Sequence, residues 1–177
     1  MEGSGIEHEL QRVAAAMDAE VRSEQAEYEA LAVQSERRAR TLADVAAELV
    51  VRGDRVEISV AGLVLDGTVR HSAADYLVLE ATRGRIDLPL TAVTALRVTQ
   101  QVRSGGTPPG AGAKSFQARL TEHETAGVVM TLLRADGEMV EGLIRAAARD
   151  HLLLQTRHGL VVLPTVQVAA VWPRPAG

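Results

Sequence analysis

The hydrophobic positions of the chain change period once. Ile6, Leu10, Val13, Met17 and Val21 recur at steps of three and four, and Tyr28 and Leu31 continue the seam more loosely, which is the spacing of one stripe on an α-helix. No glycine or proline falls between Gly5 and Gly53, and the stretch is rich in Ala, Glu, Arg and Leu, so a helix is predicted over about 6–38. The pattern lapses across QSERRAR (34–40). Thr41 then opens a Thr-x-x-Asp that resembles a capping box, and Leu42, Val45 and Leu49 follow, which predicts a short second helix over about 42–52.

From Asp54 onward the period is two. Val56, Ile58 and Val60 alternate with Arg55, Glu57 and Ser59, the mark of a half-buried strand. Further strands are predicted at Leu63–Arg70, Asp75–Ala81, Arg85–Leu90 and Thr94–Val98. The series then returns between Val128 and Trp172. DYLVLEATRGRIDLPLTAV (75–93) aligns without a gap to DHLLLQTRHGLVVLPTVQV (150–168) at an offset of 75, with seven of nineteen positions identical, whereas the first strand of the second copy, VVMTLLR, aligns poorly with VEISV. QVRSGGTPPGAGAKS (101–115) between the copies reads as a Gly/Pro/Ser linker. The predicted organisation is a helical segment (1–40), a first strand-rich repeat with its own helix (41–100), the linker (101–115) and a second repeat (116–177).

Four glycines fall at hairpin tips, Gly62, Gly84, Gly137 and Gly159, where a tight turn needs positive φ. Gly67 and Gly142 instead lie inside strands, where a missing side chain permits a sharp bend. A short helix, five bent strands, a glycine inside the second strand and an aspartate opening the third together resemble the Sm-like small β-barrel. GLVLDGTVRHSAADYLVLEA (62–81) resembles the first Sm motif, with Gly67 and Asp75 at the matching positions, and LPLTAVTALRV resembles the passage between its fourth and fifth strands. The likeness covers 54–99 and 128–173 together with the Thr41–Arg52 helix. The arrangement also resembles proteins of high-GC Gram-positive bacteria that carry an N-terminal helix and tandem barrels.

The resemblance implies an α+β fold in which an N-terminal amphipathic helix precedes two duplicated five-stranded Sm-like β-barrels. It also implies ring formation and binding of single-stranded RNA. The base-contacting asparagine of the first motif is replaced by Leu79 and Leu154, and the Arg-Gly pair of the second by Leu90-Thr91 and Thr165-Val166. Pro89 and Pro164 sit near the end of the strand through which such rings close and supply no N–H there. The two repeats are therefore expected to pair with each other or to dimerise.

Composition narrows the function classes. The chain has no cysteine, which removes disulfides and thiolate chemistry and suits a reducing compartment. The formal net charge is −4, and residues 1–40 alone hold nine acidic and five basic side chains, so no basic block rewards a phosphate backbone. The beginning of the chain is acidic without an apolar core, and no run of about 18 apolar residues occurs, so the expectation is a cytoplasmic protein without a membrane span.

Candidate chemistry is sparse. Arg70 and Asp75 flank one four-residue turn and Arg145 and Asp150 flank its copy, a spacing that suits a charged clasp across a hairpin mouth or an interaction site. Arg83, Arg85, Arg97, Arg145, Arg149 and Arg157 are the candidates for nucleic-acid contacts, and the run SERRAR (35–40) is either a solvated junction or a partner contact. The seam Ile6, Leu10, Val13, Met17 and Val21 either forms a coiled coil with another chain or folds back on the repeats. His8, His71, His123, His151 and His158 lack metal-site spacing and read as solvated or turn histidines. The glycines before Lys114-Ser115 lack the spacing of a phosphate loop. No catalytic, cofactor or metal residues are predicted. The expectation is a non-enzymatic assembly or interaction protein whose partner is itself or another protein, with RNA binding as the alternative.

Overall fold

The computed structural model describes residues 38–82, 84–102, 106 and 112–174, together with 17, 22, 25 and 27–36. The chain divides into two compact units, Met1–Arg40 and Thr41–Gly177. In the first unit the described residues up to Ala39 are helical. Met17, Tyr28 and Leu31 there are exposed. Ile6, Leu10, Val13 and Val21 lie outside the described residues.

The second unit opens with helix α1 (Leu42–Arg52). Its start is a reciprocal capping box: Asp44 N–H donates to Thr41 Oγ1 at 3.2 Å and Thr41 N–H donates to Asp44 Oδ2 at 2.8 Å. Gly53 ends the helix in the left-handed region, at φ 71°. A cap of this kind contributes about 1 kcal/mol, which a helix of three turns needs. Strands β1 (Arg55–Val60), β2 (Leu63–Ser72), β3 (Tyr76–Ala81), β4 (Gly84–Pro89) and β5 (Val93–Gln100) follow, with a 3-10 turn at Leu90–Ala92. The second repeat contributes helix α2 (Phe116–Ala126) and strands β6 (Val129–Arg134), β7 (Met139–Ala147), β8 (His151–Thr156), β9 (Gly159–Pro164) and β10 (Val168–Pro173). Helix α2 was not expected from the pattern. Its frame, Ser115 as N-cap and Gly127 as left-handed C-cap, repeats Thr41 and Gly53 at an offset of 74.

All ten strands form one open antiparallel sheet in the order β5-β1-β2-β3-β4-β10-β6-β7-β8-β9. The expectation of two closed five-stranded barrels is overturned by this continuity. Strand β4 does not turn back on its own repeat but pairs with β10, with Asp87 opposite Val171. The physical reason is burial. A repeat of this size removes too little apolar surface from water alone, and here the two share their cores. Leu133, Ala169 and Ala170 of the second repeat pack with Val56, Ile58 and Leu77 of the first. Tyr76 and Val78 of the first pack with Phe116, Leu120 and Met130 of the second.

Within the sheet the duplication is complete in order and nearly so in register. The halves β5-β1-β2-β3-β4 and β10-β6-β7-β8-β9 run in the same sequence. Val56 stands opposite Gly67 and Met130 opposite Gly142, so the first strands correspond at an offset of 74 and the later ones at 75. The difference is one residue in the hairpin: Val60 pairs Leu63 across Ala61-Gly62, whereas Arg134 bonds Glu138 across Ala135-Asp136-Gly137. That residue explains why VVMTLLR aligns poorly with VEISV. A Cβ at Gly67 would lie 2.3 Å from Glu80 O, and one at Gly142 2.6 Å from Gln155 O, so both positions exclude any side chain where the neighbouring strand crosses close. No helix among the described residues is long and apolar enough to cross a membrane.

Candidate functional site

Helix α2 is placed by both repeats. Phe116 N–H donates to Asp75 Oδ1 at 2.9 Å, setting a first-repeat carboxylate at the positive end of a second-repeat helix. Tyr76 OH donates to Ala113 O at 2.9 Å, just before that helix, and its ring lies 6.1 Å from that of Phe116. Burial raises the Tyr76 phenol to about 12. On the other side, Gln117 Nε2 donates to Ala147 O at 2.9 Å and Ala147 N–H donates to Glu124 Oε2 at 2.8 Å. The helix therefore rivets the junction between the repeats.

At its centre lies a charged cluster. Asp87, on β4, is 1% exposed. Arg119 Nε donates to Asp87 Oδ2 at 3.0 Å, and His123 Nε2 stands 2.5 Å from the same oxygen. Arg119 Nη1 also donates to Glu122 Oε2 at 2.7 Å. Burial pulls the Arg119 guanidinium down, but the Glu122 and Asp87 carboxylates outweigh it and hold the group above its ordinary value. Asp87 Oδ1 has no hydrogen-bond partner. His123 is thus a buried hydrogen-bond partner of Asp87 rather than the solvated or turn histidine expected. The arrangement fastens β4 to α2. Among the described residues no group of three or more His, Asp or Glu side chains is placed to hold a metal ion.

The two ends of the sheet present the same strands without that cover. Strand β9 is the repeat counterpart of β4 and β5 that of β10, and both are terminal in the sheet. The β4 residues Ile86, Asp87, Leu88 and Pro89 are buried, whereas on β9 Leu160 is 58%, Val161 36% and Val162 61% exposed. The position of Asp87 is taken by Val162, and those of Arg119 and His123 on the helix by Val45 and Leu49. The charged set is thus replaced by aliphatic side chains, of which Val162 is 61% exposed while Leu49, 4% exposed, packs in the core and Val45 packs against it.

The sequence-predicted residues are distributed as follows. Arg70 and Arg145 are the extra residues of two matching β-bulges, between Val69 and His71 and between Ile144 and Ala146. Each aspartate has a hydrogen-bond partner other than these arginines. Asp75 is engaged by Phe116 N–H, and Asp150 accepts from His151 Nδ1 at 2.7 Å, which lowers the Asp150 carboxyl below its usual range. Both aspartates do serve the duplicated turn through their backbones, since Leu90 N–H donates to Asp75 O and Thr165 N–H to Asp150 O, each at 2.8 Å. Arg85 pairs with Glu80 at 3.3 Å and Arg97 with Glu57 at 3.6 Å. Arg149 and Arg157 lie at opposite ends of β8, and Arg83 lies outside the described residues. Among the described residues, Arg97 on β5, Arg85 on β4 and the pair beside β8 stand on separate strands of the sheet.

Asp87, Arg119 and His123 were missed as a site. The available signal was the repeat itself: within its best-matching block, Asp87 faces Val162 in the alignment, a charge against an aliphatic residue inside a strand. No protein-family model matches the chain, and no curated protein matches it.

Proposed function

We propose that the protein is a non-enzymatic assembly module that joins further copies of itself through the two open edges of its sheet. One observation carries the reading. The β4–β10 junction shows how one edge of this repeat receives the other, and β9 and β5 are the same two edges with no further strand beside them among the described residues. An exposed apolar edge strand is a template for strand addition, and Leu160, Val161 and Val162 make β9 such a strand. A front edge that accepts a back edge is a head-to-tail contact, which propagates and closes into a ring where the rotation allows. The N-terminal helical unit, with Met17, Tyr28 and Leu31 exposed, offers a second surface for association.

RNA binding has no comparable support, because the candidate arginines are dispersed and two of them are paired to carboxylates. The cysteine-free composition accords with a reducing compartment, and we place the protein in the cytoplasm. The test is the mass of the full chain by light scattering across a concentration series. Mass that rises with concentration, and that falls to the single chain in Val162→Asp, supports edge association. A single-chain mass at every concentration contradicts it.

A further inference from the structure

We infer that Asp150 of one chain caps helix α1 of the next, so that the contact between copies has one register and one direction. The inference rests on the edge-association reading and adds the residues that orient it. Its template is internal. Asp75 binds the backbone N–H of Phe116, the first residue of α2, at 2.9 Å while Asp87 of the adjacent β4 stands opposite Val171 of β10. Moving each residue to its repeat counterpart converts this set into Asp150, Leu42, Val162 and Leu96. The conversion is supported by the ladders: Val171 pairs Leu132 as Leu96 pairs Ile58, and Trp172 pairs Thr131 as Arg97 pairs Glu57.

The counterpart residues lie where such a contact needs them. The Asp150 side chain is 86% exposed, and the hydrogen bond from His151 favours its ionised form. Leu42, the first residue of α1, is 36% exposed, and Val162 is 61% exposed. A carboxylate at a helix N-terminus gains both the N–H bond and the helix dipole.

The substituted cluster keeps the two kinds of junction from exchanging. A β9 strand seated against α2 would set Val162 where Arg119 and His123 need Asp87, leaving the buried His123 without its partner and the part-exposed Arg119 with Glu122 alone. A β4 strand seated against α1 would bury Asp87 against the aliphatic Val45, with no basic side chain at the counterparts of Arg119 and His123. Either mismatch is strongly unfavourable, so β9 selects α1 and β5 of another copy.

The test uses the absence of native cysteine. Full chains carrying Leu96→Cys are mixed with full chains carrying Val162→Cys under mild oxidation, and the association of Asp150→Ala is measured beside that of the parent. Residues directly opposite in a ladder meet disulfide geometry. The expected results are a mixed disulfide that outcompetes either homodimer and a dissociation constant about fivefold weaker in Asp150→Ala, with Asp150→Asn between the two. Association that proceeds without the mixed disulfide, or that ignores Asp150→Ala, overturns this inference and leaves edge association standing. A chain that stays single at every concentration overturns both.

Discussion

The junction between the repeats and the free edges of the sheet are two versions of one contact. In the junction a strand carries Asp87 and the facing helix carries Arg119 and His123. In the other copy the same positions hold Val162, exposed on the terminal strand β9, and Val45 and Leu49, which pack on the core. A buried ion cluster is costly to form and costly to break, whereas an aliphatic contact adds stability in proportion to area and tolerates opening. The comparison teaches that two copies of one geometry carry different chemistry, a charged cluster at the closed seam and aliphatic side chains at the matching positions of the other copy. Asp54 shows the same divergence: it is fully buried, with Arg52 Nε at 2.9 Å and Val102 N–H donating at 2.8 Å, and the second repeat has Val128 in its place.

The largest effect is expected at the seam. Asp87→Ala takes the shared carboxylate from the buried His123 and from the part-exposed Arg119, which keeps Glu122, and should lower stability by about 1–3 kcal/mol, read as the denaturant midpoint. Replacing all three with leucine should recover most of that loss, because well-packed apolar side chains of similar volume replace a buried ion group without penalty. If the triple variant is no more stable than Asp87→Ala, the cluster is not what the seam depends on. At the free edge, Val162→Asp should change the stability of the single chain by less than about 0.5 kcal/mol, since the side chain is exposed. A large loss there would mean that β9 is already covered.

The sequence carried a great deal of this. The change from a period of three or four to a period of two at Asp54, the Thr41 capping box and the glycines at the hairpin tips each follow from local chemistry, and α1 and the first-repeat strands lie where those signals put them. The closure of the sheet was not legible. Whether β4 meets its own β5 or the β10 of the other repeat depends on which pairing buries more surface, and Leu88 and Leu163 look alike in either case. Helix α2 was hidden for a related reason. With Arg119 and His123 on the face that meets β4, it lacks the apolar stripe by which α1 was recognised. The cluster was hidden because its members lie 36 residues apart and only the folded seam joins them.

Two smaller effects sharpen the contrast. Asp75→Asn removes a charged cap from α2 and should cost about 1 kcal/mol, while Asp150→Asn should leave the single chain unchanged. Unfolding midpoints of the two variants decide this, and equal losses would erase the distinction between seam and edge. Tyr76 gives a pH signature to the seam alone. Its folded value is raised to about 12 from 10, so the associated stability is fully present below pH 10 and is lost as pH rises from there through 12. Tyr76→Phe should flatten that decline by on the order of 1 kcal/mol. A wild type and variant that decline in parallel would mean that the phenol is not held in the seam.

Hydrogen exchange of backbone amides along the four strands of the comparison tests the account most directly, measured on the full chain over a wide concentration range. Amides of β4 and β10 should be slow at every concentration, and those of β9 and β5 fast in dilute solution and slower as concentration rises. Fast exchange in β4 and β10, or protection of β9 and β5 that does not respond to concentration, would contradict it.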